Sequence, residues 1–161
     1  MSNNNMIPAV GLFGTCGAST WRTAFVEAFR AKGVDYFNPQ VADWTPELAT
    51  VEADHLAGDA IVMMAVTGET VGAASLVEAG LLVARAIQEP NRFFLLYIEE
   101  EVDPSLEGAK DSNRARRLLL EHLSRFGNVP NLEVVASLEE ALDLSVKLWW
   151  ALARRHPEWI L

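Results

Sequence analysis

Ala60-Ile-Val-Met-Met-Ala-Val66, followed by Thr67-Gly-Glu-Thr-Val-Gly72 and then Ala73-Ala-Ser-Leu-Val-Glu-Ala-Gly-Leu-Leu-Val-Ala-Arg-Ala-Ile87, is the stretch whose reading decides the fold. An unbroken apolar run of strand length, a short turn and a long apolar helix form half of a βαβ unit. Glu78 is the only carboxylate in that helix. An acid in the early turns of a helix that follows a buried strand lies at the carboxyl edge of a sheet, where open α/β folds bind ligands. The residues three and four positions away are Ala74, Ser75, Leu81 and Leu82, so no helical salt bridge is available. Apolar neighbours desolvate a carboxylate and raise its pKa, which suits a nucleophile or a general acid/base. The plainer alternative is a residue on the wet stripe of the helix, near Arg85.

Working outward, Pro8-Ala-Val-Gly-Leu-Phe13 reads as a first buried strand, and Trp21 to Lys32 as a helix capped by Ser19 or Thr20 and ended by Gly33. Residues 34–38 form a second strand stopped by Pro39. Thr45-Pro-Glu47 opens a second helix that runs to about Ala57. Arg92-Phe-Phe-Leu-Leu-Tyr-Ile98 is a fourth strand, apolar throughout as in a parallel sheet. Residues 99–112 read as an exposed acidic loop, Asn113 to Phe126 as a fourth helix and residues 132–136 as a fifth strand. Ser137-Leu-Glu-Glu140 is a capping box that opens the last helix. Strands alternating with helices predict an α/β fold: a doubly wound, flavodoxin- or Rossmann-like parallel sheet of about five strands with helices on both faces. Residues 1–161 form one domain in this reading, with residues 1–6 a flexible N-terminus.

The chain has 161 residues, of which 50% are hydrophobic and 22% charged, as expected of a globular domain. A formal net charge of -9 argues against a nucleic-acid polymer or an anionic membrane as partner. It leaves room for a small anion held by backbone N–H groups. One cysteine, Cys16, excludes an intrachain disulfide and fits a cytoplasmic location. Residues 1–6 carry no basic stretch before an apolar run, so no signal peptide is expected, and no apolar run is long enough to span a membrane.

Three loops carry candidate chemistry. Gly11-Leu-Phe-Gly-Thr-Cys-Gly-Ala-Ser-Thr20 joins a strand to a helix N-terminus, where Gly14, Ser19 and Arg22 are candidate anion or ligand contacts. It is neither a Walker motif nor a full dinucleotide fingerprint, and a tight glycine turn is an equal alternative. Phe37-Asn-Pro-Gln-Val-Ala-Asp-Trp44 offers Asn38 and Gln40 for paired hydrogen bonds to a sugar or base edge and Trp44 for stacking. The alternative there is a turn in which Asn38 bonds the backbone. Asp54, His55 and Asp59 precede the third strand. Glu52 and His55 suggest a metal pair, but no second ligand cluster accompanies them, so no metal and no cofactor is expected. Cys16 reads as loop filler, Arg114-Ala-Arg-Arg117 as a solvated face, and Trp149-Trp150 with Trp159 and Ile160 as core and oligomer contact.

Taken together, the Gly-Leu-Phe-Gly14 loop with Trp21-Arg22, Phe37-Asn-Pro-Gln40, Asp59 and Ser75-Leu-Val-Glu-Ala-Gly80 resemble the nucleoside 2-deoxyribosyltransferase family, more closely its deoxyribosyltransferase-like branch. The resemblance covers roughly residues 8–98. It implies cleavage of an N-glycosidic bond, with Glu78 attacking the anomeric carbon to form a glycosyl-enzyme that a second base or water resolves. It places Asn38 and Gln40 in the loop that meets the base. Asp54 or Asp59 is a candidate, by position, to protonate the leaving base, and Ser75 and Glu69 lie where substrate contacts are expected. One position departs from the family pattern. The aspartate that binds sugar hydroxyls six residues before the nucleophile is here Gly72. The implied partner is a small-molecule nucleoside or nucleotide, and family members often form homo-oligomers. Two readings stand beside the transferase: a nucleoside 5′-monophosphate N-glycosidase and a non-catalytic nucleotide-binding or interaction module on the same fold. A flavodoxin-like electron carrier fits less well, because the first loop lacks a dense Thr/Ser phosphate cradle.

Overall fold

A computed structural model describes residues 6–43, 45–125 and 127–160. The expectations for residues 1–5, for Trp44 and for Phe126 as the end of the fourth helix lie outside the described residues. In chain order the elements are β1 (Ile7–Gly14), α1 (Arg22–Lys32), β2 (Tyr36–Phe37), α2 (Pro46–Gly58), β3 (Asp59–Val66), α3 (Ala73–Gln88), β4 (Phe93–Ile98), α4 (Ala109–Arg125), β5 (Leu132–Val134) and α5 (Leu138–Ala153), followed by a 3₁₀ turn (Pro157–Trp159). The five strands form one parallel sheet in the order β2-β1-β3-β4-β5. This is the doubly wound α/β architecture read from the sequence.

β3 is central, and all eight of its residues are buried, which is why it reads as a continuous apolar run. On one face α1 and α5 bring Trp21, Phe25, Phe29, Trp149 and Leu152 against Val10, Leu12, Ile61 and Met63. On the other face Leu56 of α2, Ala79, Leu82 and Val83 of α3 and Leu119, Leu120 and Leu123 of α4 cover Phe13, Val62, Met64 and Phe94. The chain leaves β1 toward one sheet edge and leaves β3 toward the other. The topological switch point therefore lies between the carboxyl ends of β1 and β3.

Several local expectations need correction. β2 is two residues long because only Tyr36 and Phe37 pair, with Val10 and Gly11 of β1. Val34 instead completes the C-cap of α1, its N–H donating to Phe29 O, and packs into the core. Neither Ser19 nor Thr20 caps α1; Trp21 occupies the N-cap position without a side-chain bond, and the Ser19 hydroxyl is engaged elsewhere. α4 begins at Ala109 rather than Asn113. The Asn113 side chain accepts from Val102 N–H and ties the preceding acidic loop to the helix, so Val102 is buried. The capping box of α5 forms: Ser137 Oγ accepts from Glu140 N–H, and the Glu140 carboxylate accepts from Ala136 N–H.

Arg116 overturns the reading of residues 114–117 as solvated. It is 0% exposed. Its guanidinium donates to the carbonyls of Val66, Glu99, Thr67 and Thr70, and Nε donates to Ser112 Oγ. Trp149 is likewise core, with Nε1 donating to Pro8 O. Apolar side chains are exposed on α3 and α4 at Val77 (67%), Leu81 (62%) and Leu118, and Ile160 near the end of the chain is exposed as well.

Candidate active site

The switch point is built from the ends of β1 and β3. Gly14 has φ 123°, and a Cβ there would lie 1.9 Å from Ala65 O. Only glycine lets β1 turn away while touching β3 so closely. Thr15, next along, donates its N–H to Ala65 O and meets the Thr67 hydroxyl at 2.7 Å. Ser19 Oγ reaches the same Thr67 hydroxyl at 2.6 Å. Thr15, Ser19 and Thr67 thus form a buried hydroxyl cluster that joins the first loop to the turn after β3.

Arg22 stands under this loop and is 3% exposed. Nε donates to Leu12 O, Nη1 to Thr15 O and Nη2 to Gly14 O, and the guanidinium lies 4.6 Å from the centre of the Trp21 ring. The side chain expected to hold a ligand anion therefore first holds β1 and its loop in place. Its charge still acts on the site: Glu52 and Glu78, with Cys16, favour the charged guanidinium that burial disfavours.

Glu78 projects from the second turn of α3 and is half-buried. Burial pushes its pKa up, the Glu52 carboxylate of α2 pushes the same way, and Arg22 opposes them. The chain thus brings together at the switch point two acids and an arginine that are 26 and 30 residues or more apart in sequence. Ser75, one turn before Glu78, is buried on the inner side of α3. Glu52 is the residue the sequence reading missed, because it was weighed only as a metal partner of His55. Its signal was its place on α2, three residues from His55 on the same helix side.

Glu69 lies in the turn after β3. Burial raises its pKa, but the Thr67 and Ser19 hydroxyls, its own N–H and the Arg116 charge together hold it below the ordinary carboxylate range. Gly72, where the family pattern has an acid, is the left-handed N-cap of α3 (φ 63°). A Cβ there would come within 3.0 Å of Thr15 Cγ2 and 3.2 Å of Arg116 Nη2.

Of the other expected contacts, Asn38 and Gln40 follow β2, and Asn38 Oδ1 accepts from Gln40 N–H, leaving the Asn38 amide NH₂ for a ligand. Asp54 is exposed and lines a concavity at the amino edge of the sheet with Gly58, Glu89, Arg92 and Arg155, so it does not join Glu78. Asp59 opens β3, is fully buried and binds His55 rather than pointing at the carboxyl edge. A second concavity, apolar and lined by Leu76, Val77, Leu118 and Leu119, lies between α3 and α4, also away from Glu78.

Among the described residues, no helix is long and apolar enough to cross a membrane. No curated protein and no solved structure matches the chain. A family model described as "Nucleoside 2-deoxyribosyltransferase like" matches residues 8–89, from the start of β1 to the residue after α3, and so spans the whole switch point and Glu78. With half of its length matched, the chain belongs to the nucleoside 2-deoxyribosyltransferase-like family.

Proposed function

We propose that the protein cleaves or transfers the N-glycosidic bond of nucleosides or nucleotides, with Glu78 as nucleophile. The observation that carries this reading is a half-buried Glu78 at the β1/β3 switch point, its pKa raised by burial and Glu52 against the opposing charge of Arg22. A Glu78 carboxylate oxygen bonds C1′ as the C1′–N electron pair leaves with the base. Water or a second base then attacks C1′ and returns the electron pair to Glu78, the two-step route of retaining glycosidases. Burial and Glu52 raise the basicity of the Glu78 carboxylate, and Arg22 favours its charged form.

Glu69 is the acid positioned to accept from sugar hydroxyls in place of the residue missing at Gly72, because the Thr67 and Ser19 hydroxyls hold it ionised. The Asn38 amide and Gln40 meet the base edge, and Ser75 and the Gly14 loop border the sugar. A 5′-monophosphate would rest on the backbone N–H groups of that loop rather than on Arg22, three of whose N–H groups already serve carbonyls.

The test is intact-protein mass after incubation with 2′-deoxynucleosides and their 5′-monophosphates, with free base measured in the same samples. A sugar-sized adduct that disappears in Glu78→Gln, with base released, is the expected result. The substrate that gives it separates nucleoside from nucleotide chemistry. Binding without adduct or base, unchanged in Glu78→Gln, would replace this reading with a non-catalytic binding module.

A further inference from the structure

Proton delivery to the leaving base has no owner among Glu78, Arg22 and Glu69. The groups around α2 supply one. His55 lies one turn beyond Glu52, and its Nδ1 is 2.7 Å from Asp59 Oδ1. The imidazole stacks on the Phe37 ring at 3.8 Å with 3° between planes. Asp59 is 0% exposed, whereas the His55 side chain is 25% exposed. A carboxylate accepting at Nδ1 fixes the tautomer and turns Nε2 into the working atom. The Phe37 stack fixes the ring plane. Phe37 is also the last residue of β2, so the imidazole stands beside the Asn38–Gln40 loop read above as meeting the base.

The dyad is built into the sheet at a cost. Asp59 Oδ2 is the one buried side-chain oxygen or nitrogen without a hydrogen-bond partner among the described residues. It leans over Gly11, where a Cβ would come within 2.4 Å. Packing alone does not call for a half-satisfied buried carboxylate at the start of the central strand. The charged groups facing the pair are Glu52 on α2, Arg85 on α3, which donates to Leu56 O, and Arg92 before β4, which donates to Asp59 O and Leu56 O and pairs with Glu89.

We propose that His55 donates the proton to the departing base and that Asp59 is its positioning residue, an assignment that rests on Glu78 being the nucleophile. As the Glu78 oxygen bonds C1′, the C1′–N pair moves onto the base nitrogen and the Nε2 proton passes to the base. The imidazole is left neutral, with Nδ1–H still on Asp59. In the second step the incoming water or base gives its proton to Nε2, and Glu78 recovers its electron pair.

The test uses the full chain with 2′-deoxyguanosine and 7-methyl-2′-deoxyguanosine, each also as the 5′-monophosphate. The 7-methyl base carries its positive charge already and departs without a proton. His55→Gln should lose about 10²-fold in kcat with the guanine substrate and less than about threefold with the 7-methyl substrate. Asp59→Asn should lose about tenfold with guanine and less than about threefold with the 7-methyl substrate, since it acts only through the imidazole that delivers the proton. Equal losses on both substrates, or no loss on either, would overturn the assignment. Glu78 adduct formation from the 7-methyl substrate keeps the two claims apart. An adduct in His55→Gln without selective loss defeats the dyad alone, and no adduct or turnover in the wild-type protein defeats the nucleophile and the dyad together.

Discussion

Burial and the Glu52 carboxylate push the Glu78 pKa up, and the buried Arg22 opposes them. At the residue scale this predicts that Glu78→Gln folds normally yet loses at least about 10³-fold in base release, measured beside an unchanged melting curve. Glu52→Gln removes a charge that raises the Glu78 pKa, so the acid limb of kcat/KM should move to lower pH; an unmoved limb would remove Glu52 from the site. Asp59 gives a stability prediction. Burial lifts its pKa from 3.8 to about 6, against the opposing pull of His55 and Arg92. A carboxyl whose folded pKa is raised adds its stability fully below the unfolded value and loses it as pH rises through the folded one. Relative to Asp59→Asn, the native protein should therefore become less stable between about pH 4 and pH 6. The change should reach up to about 3 kcal/mol in denaturant titrations at each pH.

At the scale of elements, the turn from β3 into α3 hangs on α4. Arg116 satisfies the carbonyls of Val66, Thr67 and Thr70, so it places the turn that leads into the helix carrying Glu78. Arg116→Ala should cost about 2–4 kcal/mol by leaving those carbonyls buried and unpaired, and Arg116→Lys should not restore it, because one ammonium cannot span them. Restoring the family acid with Gly72→Asp should not raise activity. The left-handed backbone and the contacts with Thr15 and Arg116 make the residue a strained cap, with a melting temperature below that of the native chain.

At the scale of the molecule, α3 and α4 expose Val77, Leu81 and Leu118 beside an apolar groove. The sequence reading assigned Trp149, Trp150, Trp159 and Ile160 to core and oligomer contact; Trp149 is in the core with Trp150 and Trp159 packed against it, and Ile160 is exposed. Sedimentation should show a homo-oligomer that Leu81→Glu dissociates; an unaltered species would place the contact elsewhere. α3 carries both Glu78 and this face, so dissociation should also lower base release if a neighbouring copy steadies the helix.

The doubly wound parallel sheet and the place of Glu78 early in the helix after β3 were legible from the chain, because both follow from local periodicity, whereas the strand order β2-β1-β3-β4-β5 came from the structure. Apolar runs of strand length make buried strands, and an acid placed two turns into the next helix has only one sheet edge near it. Arg116 was legible in principle, since residues 109, 112, 116, 119, 120 and 123 fall on one helical stripe, yet a basic cluster outweighed that spacing. What surrounds Glu78 was not legible. Glu52 and Arg22 come from α2 and α1, and their meeting with Glu78 depends on how helices dock across the sheet. The family match reports the kind of site but not which charges face it. Periodicity is a property of neighbours along the chain and so is written in the sequence. The protonation of a carboxylate depends on burial and on charges a few ångströms away in space, and only the tertiary structure sets those.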